Sequence, residues 1–263
     1  MAQFTTFYSG SSGNCAWVEE NGRYLLVDMG KSCRITLAAL QSLGCDMQKL
    51  GGILVTHEHS DHIKGLEVFL RRYNVPVYGT AATLDYLAEH GMVPGTAQLI
   101  DVGGGTQDVA GFSVTAFPTS HDSVDCCGYH IATEKGKTIS LATDLGYISE
   151  EVQANLHGAD VVSLEANYDH FMLMSGPYPS YLKARIDSRR GHLCNSDSAA
   201  MVTKLIQNGC KHIALCHISN ENNTPGLVLQ AVQAALLAQQ VQPTPDVTVQ
   251  AAARHDISPV FTF

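Results

Sequence analysis

Ile53-Leu54-Val55-Thr56-His57-Glu58-His59-Ser60-Asp61-His62 decides how this chain is read. The apolar run after two glycines predicts a short buried strand that delivers its end into His57. His57 and His59 are two apart, so on an extended strand end their side chains point the same way. Ser60 is suited to cap a following helix, along which Ile63, Leu66, Phe69, Leu70 and Tyr73 recur at helical spacing. Asp61 and His62 then return from the first turn. One short segment offers ligands to two metal ions, and its H-x-H-x-D-H spacing is more specific than a lone glycine-rich loop.

Working outward, residues 17–20 and 23–27 flank Asn21-Gly22, a dipeptide suited to a type I′ hairpin turn. A helix is predicted over 32–43, with Gly44 ending it in the left-handed conformation. A second β-then-α unit runs through 75–78 and 80–90 and closes at Gly91. In the second half, 137–143, 159–164 and 211–216 read as strands, and 196–208 as a helix ending at Gly209. Thr224-Pro225 opens the last long helix, with proline at the first helical position. Two mixed sheets with helices outside predict an α/β fold, a four-layer αββα sandwich. The whole chain, residues 1–263, is expected to be one domain.

With 45% hydrophobic and 16% charged residues, 263 residues suffice for a large core. The N-terminus lacks a basic region followed by an apolar stretch, and no uncharged apolar run approaches the roughly 20 residues that span a bilayer. Eight cysteines show no C-x-x-C spacing, and Cys126 and Cys127 are adjacent, which fits neither a zinc knuckle nor a disulfide framework. A cytoplasmic protein without membrane attachment is therefore expected. The net charge of −9 argues against gripping nucleic acid by overall electrostatics. Bound cations and a local basic patch can still reverse the potential at a cleft, so a phosphodiester substrate is not excluded.

Two metals need more ligands than the central segment supplies, and the others should lie at strand ends. Three positions fit. Asp144 follows the strand 137–143, His217 follows 213–216, and His121 follows the alternating stretch 112–117 across Pro118.

In the order Asp28, His57/His59/Asp61/His62, His121, Asp144, His217, the chain resembles the metallo-β-lactamase fold along nearly its whole length. The resemblance implies that His57, His59 and His121 hold one divalent ion, that Asp61, His62 and His217 hold another, and that Asp144 bridges. Asp28 would orient a ligand instead of binding metal. Residues 7–14, 143–146, 164–167, 191–195 and 219–225 further resemble the signature blocks of the YycJ/WalJ (VicX) subgroup, relatives of RNase Z and RNase J. That subgroup implies a DNA exonuclease acting from the 5′ end. Two residues depart from its pattern: Tyr168 where histidine is expected and Cys194 where serine is common.

The expected chemistry is phosphodiester hydrolysis at a pair of divalent ions, zinc or manganese, with a metal-bridging hydroxide attacking in line and Asp61 accepting the leftover proton. Glu165 and His192 are the candidates for protonating the leaving group, since Glu165-Ala166 resembles the Glu-Ala of RNase Z-type enzymes. Lys183, Arg185, Arg189 and Arg190 form the densest basic stretch and are candidates for backbone phosphate contacts. Ser11 and Asn14, in a polar glycine-rich loop, are further candidates for substrate binding. Nucleic acid, DNA first, is the expected partner, and no protein partner is readable. The competing readings are a small-molecule phosphodiesterase or lactonase of the same fold and a metal-stabilised regulatory module without catalysis.

Overall fold

The computed structural model describes residues 1–263. Fourteen strands run in chain order as β1 (Ala2–Tyr8), β2 (Cys15–Glu20), β3 (Arg23–Val27), β4 (Leu50–Leu54), β5 (Val77–Gly79), β6 (Leu99–Asp101) and β7 (Thr106–Val109). They continue as β8 (Phe112–Pro118), β9 (Cys127–Ala132), β10 (Thr138–Ala142), β11 (Val161–Glu165), β12 (His212–Cys216), β13 (Thr248–Ala251) and β14 (Phe261–Thr262). They form two seven-stranded sheets, ordered β14-β1-β2-β3-β4-β5-β6 and β13-β12-β11-β10-β9-β8-β7. Both are mixed: β3 to β6 and β10 to β13 are parallel, while the remaining pairs are antiparallel.

Alternation along the strands explains why there are four layers. On β3, Leu25 and Val27 face the second sheet, where they join Ile131, Ile139, Leu141 and Val161. Tyr24 and Leu26 face the other way, toward the helices Cys33–Ser42, Leu66–Leu70 and Ala81–Glu89. The second sheet repeats the pattern: Ala214 points inward, while Ile213 and Leu215 pack under the helices Asn195–Gln207 and Pro225–Ala238. Three separate apolar clusters therefore fill the three interfaces of an αββα sandwich.

The Asn21-Gly22 hairpin forms as the sequence predicts, with both residues at positive φ, 55° and 81°. Gly44 ends its helix at φ 70°, and the Thr224 side chain caps the last long helix by accepting from the backbone N–H of Leu227. The helix expected after Ser60 differs. It is split into Ser60–Ile63 and Leu66–Leu70, and His59, not Ser60, is the residue before the first turn. The break has a cause at Gly65, whose N–H donates to the carbonyl of Met29 at 2.9 Å and where a Cβ would overlap the Lys31 carbonyl and crowd the Met29 side chain and the Cys33 N–H. A side chain there would push the two segments apart.

Gly30 makes a second close approach. A Cβ at this position would overlap the Asp61 carbonyl, at the start of the helix that presents Asp61 and His62. Gly30→Ala is expected to destabilise the fold by about 1–3 kcal/mol, the usual range for forcing extra atoms into packed structure. Gly95→Ala, in open space, should change stability by less than about 0.5 kcal/mol. Denaturant midpoints of the two variants check this, and equal midpoints would exclude the close-packed junction.

Candidate active site

Ligands in open α/β sheets collect beyond the carboxyl ends of parallel strands. Here the residues just past β3, β4, β10 and β12, together with the last residue of β11, meet at one edge of the sandwich. They are Asp28, His57, Asp144, His217 and Glu165, all buried. Three of them leave their strands in the left-handed conformation: Asp28 at φ 62°, Asp144 at 55° and His217 at 52°. Non-glycine residues seldom adopt it, and it turns each side chain sharply off its strand.

The helix start carrying Asp61 and His62 is clamped by backbone. Asn14 N–H donates to the Asp61 carbonyl, Met29 N–H to that of His62, and Gly30 N–H to that of Asn14, all within 2.7–2.8 Å. Among four overlapping groups that could hold a metal ion, two are candidate ligand sets of the expected composition, His57/His59/His121 and Asp61/His62/His217. Asp144 lies between them. Its Oδ2 is 3.1 Å from His62 Nε2, and its Oδ1 is 3.7 Å from His121 Nε2 and 3.2 Å from His217 Nδ1.

Three of the rings are anchored through Nδ1. His62 Nδ1 is 2.7 Å from Asp28 Oδ2, His121 Nδ1 is 2.9 Å from the Gly191 carbonyl, and His217 Nδ1 is 2.7 Å from Glu165 Oε1. Thr56 ties the second layer together: its N–H and hydroxyl both donate to Asp28, and its Oγ1 lies 3.1 Å from His57 Nδ1. Such partners fix the ring so that the opposite nitrogen faces a metal. The Nε2 atoms of His57 and His217 are buried with no hydrogen-bond partner. Orphaned acceptors of this kind are costly in a packed interior, and a divalent cation satisfies both, so the donor set fits divalent metal ions.

The electrostatics agree. Burial, reinforced by the neighbouring His62, pushes His57 well below the usual histidine range, toward the neutral form that ligates metal. Burial also disfavours charge on His62, yet Asp28 and Asp144 pull it well above the ordinary value. His217 rises likewise, against burial, under Asp144, Asp61 and Glu165. Burial opposes ionisation of Asp144 itself, but His217 and His62 hold it well below the carboxylate range. This is a pocket that demands positive charge, from protons or from metal.

Glu165 and His192, expected to act together, do meet: His192 Nδ1 lies 2.9 Å from Glu165 Oε1. Their surroundings divide their roles. Glu165 is fully buried and accepts from His192, from His217 and, through Oε2, from the backbone N–H groups of Leu145 and Leu193. Burial raises its pKa, but His192 and His217 outweigh that and bring it down to about 2. His192 lines the open cleft of about 250 Å³ in front of the cluster, together with His59, Asp61, His121, Asp144 and His217. Glu165 stands behind it, positioning two rings.

Among the expected substrate contacts, Ser11 and Arg185 line the cleft. Asn14 does not. It is buried, its Oδ1 accepts from Gly10 N–H, and its Nδ2 lies 3.0 Å from His62 Nε2, so it braces the cluster from within. The basic residues are also dispersed. Lys183 Nζ donates to the Met174 carbonyl, the Arg189 guanidinium stacks 3.9 Å over the Tyr147 ring, and Arg190 Nε donates to the His121 carbonyl.

Sequence reasoning missed Thr56 and Asp122. Asp122 Oδ2 accepts from Arg185 Nε at 2.5 Å, and Oδ1 lies 3.3 Å from His121 Nε2. Its position next to His121 was the available signal. The two departures, Tyr168 and Cys194, pair with each other as a single parallel bridge, and the Tyr168 hydroxyl donates to Asp187 at 2.5 Å.

Residues 23–218 match the family described as the β-lactamase superfamily domain. The chain is 37% identical over 235 residues to exodeoxyribonuclease YycJ of Bacillus anthracis, which covers 89% of this chain and 88% of the relative. It is 35% identical over 224 residues to exodeoxyribonuclease WalJ of Streptococcus pneumoniae, covering 84% and 83%. Among solved structures, the metallo-β-lactamase fold protein YhfI of Bacillus subtilis superposes with a TM-score of 0.70, over 98% of each chain at 16% identity.

Asp28→Ala is expected to weaken metal binding about 10- to 100-fold, the usual effect of removing a ligand's orienting partner. Asp144→Ala, which faces both ligand sets, should lose more. Glu165→Gln should also lose metal, because Glu165 holds His217. Metal analysis after dialysis against graded chelator measures the order, and an Asp28→Ala loss exceeding that of Asp144→Ala would refute this reading.

Proposed function

From its membership of the β-lactamase superfamily, to whose YycJ/WalJ branch this chain belongs, we propose that it is a nuclease that removes nucleotides from DNA, beginning at the 5′ end. The chain is a metal-dependent hydrolase, and its relatives' names point to nucleic acid as the substrate. DNA over RNA, the polarity, and two ions of zinc or manganese are parts of this proposal. The observation that carries it is the meeting of two three-residue ligand sets at Asp144, in an open cleft that His192 lines.

His57, His59 and His121 would hold one ion and Asp61, His62 and His217 the other, with Asp144 between. Divalent ions bound there lower the pKa of water toward neutrality and stabilise charge on the phosphoryl oxygens. The chain's own residues supply the rest. Asp61 Oδ2, 3.6 Å from His217 Nε2, accepts the proton the attacking water gives up. Glu165 engages His192 Nδ1 and so leaves Nε2 free to protonate the departing oxygen. Asp122 holds Arg185 by Nε, which leaves the terminal guanidinium nitrogens available for a phosphate at the cleft mouth.

End-labelled DNA and RNA incubated with metal-defined protein test the substrate. Mononucleotide release from 5′-labelled DNA at the earliest times is expected, and turnover of small diesters without any attack on nucleic acid would replace this reading. His192→Ala should slow an ordinary phosphodiester by about 10²- to 10⁴-fold at unchanged metal content. A nitrophenyl ester, whose leaving group needs no proton, should lose much less. Equal losses on both substrates would remove His192 from the acid role.

A further inference from the structure

The helices His170–Ser175 and Ser180–Ile186 form a short hairpin beside the cleft. The second helix walls the cleft with Leu182, Arg185 and Ile186, and Tyr178 reaches it from the turn. Lys183 Nζ donates to the Met174 carbonyl and ties the two helices together. This hairpin exposes several large apolar side chains. Phe171 is 77% exposed and Tyr181 76%, and they are the only aromatic residues among the exposed large hydrophobic side chains of the chain. Met174, three residues from Phe171 on the same helix, is exposed with them.

Resting on the nuclease reading above, we infer that this hairpin is a stacking platform for unpaired bases of the nucleic acid, with Phe171 and Tyr181 as its rings. Tyr181 lies one turn before Arg185, so an exposed ring and a cleft-lining guanidinium neighbour each other on one helix. A strand whose phosphate meets Arg185 carries its adjoining bases over the ring. Aromatic faces beside cations are how single strands are held without sequence preference, because every base has a π-face. Duplex bases keep those faces inside their own stack, so the occupant is a single-stranded or frayed end. A protein seated on the same surface would cover the mouth of the cleft that this helix walls.

The platform predicts that loss of a ring weakens binding without changing its dependence on salt, since stacking releases no counterions. The test uses metal-loaded protein and a hydrolysis-resistant phosphorothioate single strand containing 2-aminopurine, whose fluorescence falls on stacking. Phe171→Ala and Tyr181→Ala are each expected to weaken binding about 5- to 100-fold and to reduce the quench. The slope of log K against log salt should stay that of the parent. Phe171→Tyr and Tyr181→Phe, which keep a ring, should bind like the parent. On cleavable DNA, the parent should prefer an overhang to a blunt end, and the double alanine variant should lose that preference. Unchanged binding and quench in the alanine variants of a parent that degrades DNA would overturn the platform alone. So would a change of oligomeric state by sedimentation, which makes the hairpin a self-association surface. A parent that neither binds nor degrades nucleic acid overturns the nuclease reading, and the platform with it.

Discussion

Asp144 is a fully buried carboxylate facing histidines from both halves of the chain. An isolated charge in such a place costs several kcal/mol, and it persists only when countercharges meet it in good geometry. His62 comes from the helix start that follows β4, His121 from the connection between β8 and β9, and His217 from the residue after β12. The requirement to neutralise one carboxylate therefore fixes how the two sheets' edges register against each other. It does not supply the energy of folding, which comes from the three apolar interfaces. Burial of those clusters supports a cluster of crowded rings and carboxylates, some of whose polar atoms would otherwise remain unsatisfied.

The same dependence appears in the backbone. Asp28, Asp144 and His217 occupy left-handed conformations at about 1–3 kcal/mol each, and Asp28 N–H is anchored to the Leu54 carbonyl while His217 N–H is held by the Ser9 hydroxyl. Asp and His are among the residues that tolerate this region best. The residue types needed for the chemistry are thus also those able to make the turn. A turn off a rigid parallel strand places a side chain more accurately than a flexible loop does, which the proposed metal site requires.

Much of this was legible in the sequence, for definable reasons. The candidate ligands His57, His59, Asp61 and His62 fall in one short segment, and Asp144 and His217 each follow an apolar run, so strand prediction located them, while Asp28 was found by the resemblance. The four layers followed from reading two mixed sheets with helices outside. Other features depend on three-dimensional neighbours that no local pattern encodes. The helix after Ser60 was expected to be continuous because its apolar spacing is regular, yet the backbone of residues 29–31 docks at Gly65. Asn14 read as a surface cradle because its loop is polar and glycine-rich, but the clamp onto Asp61 buries it. Thr56 lies inside the decisive stretch and carried no signal, since a threonine before a histidine is chemically ordinary until Asp28 is seen beside it.

Net charge was the poorest guide. A chain of −9 is unpromising for a polyanionic substrate if charge is taken as spread evenly, and the four basic residues of 183–190 do not form one continuous patch. What matters is where charge goes unneutralised. Lys31 Nζ is bonded to the Arg254 carbonyl and to His255 Nδ1, and the Arg254 guanidinium to the Ile218 carbonyl, so both cations are held without a salt bridge, though Asp256 and Glu221 act on them through space. Both also pack against the glycine loop, Arg254 at Gly10 and Lys31 at Gly13, next to the cleft-lining Ser11. Arg185 also lines the cleft, with its charge shared by the Asp122 carboxylate. Field in a cleft is set by such nearby charges and by bound cations, while acidic residues on the far surface are screened beyond about 8–10 Å at ordinary salt. With cations bound at the candidate metal site, an acidic exterior around the cleft works in favour of a nuclease, because it limits non-specific wrapping of nucleic acid and leaves the cleft as the place where a phosphate is attracted.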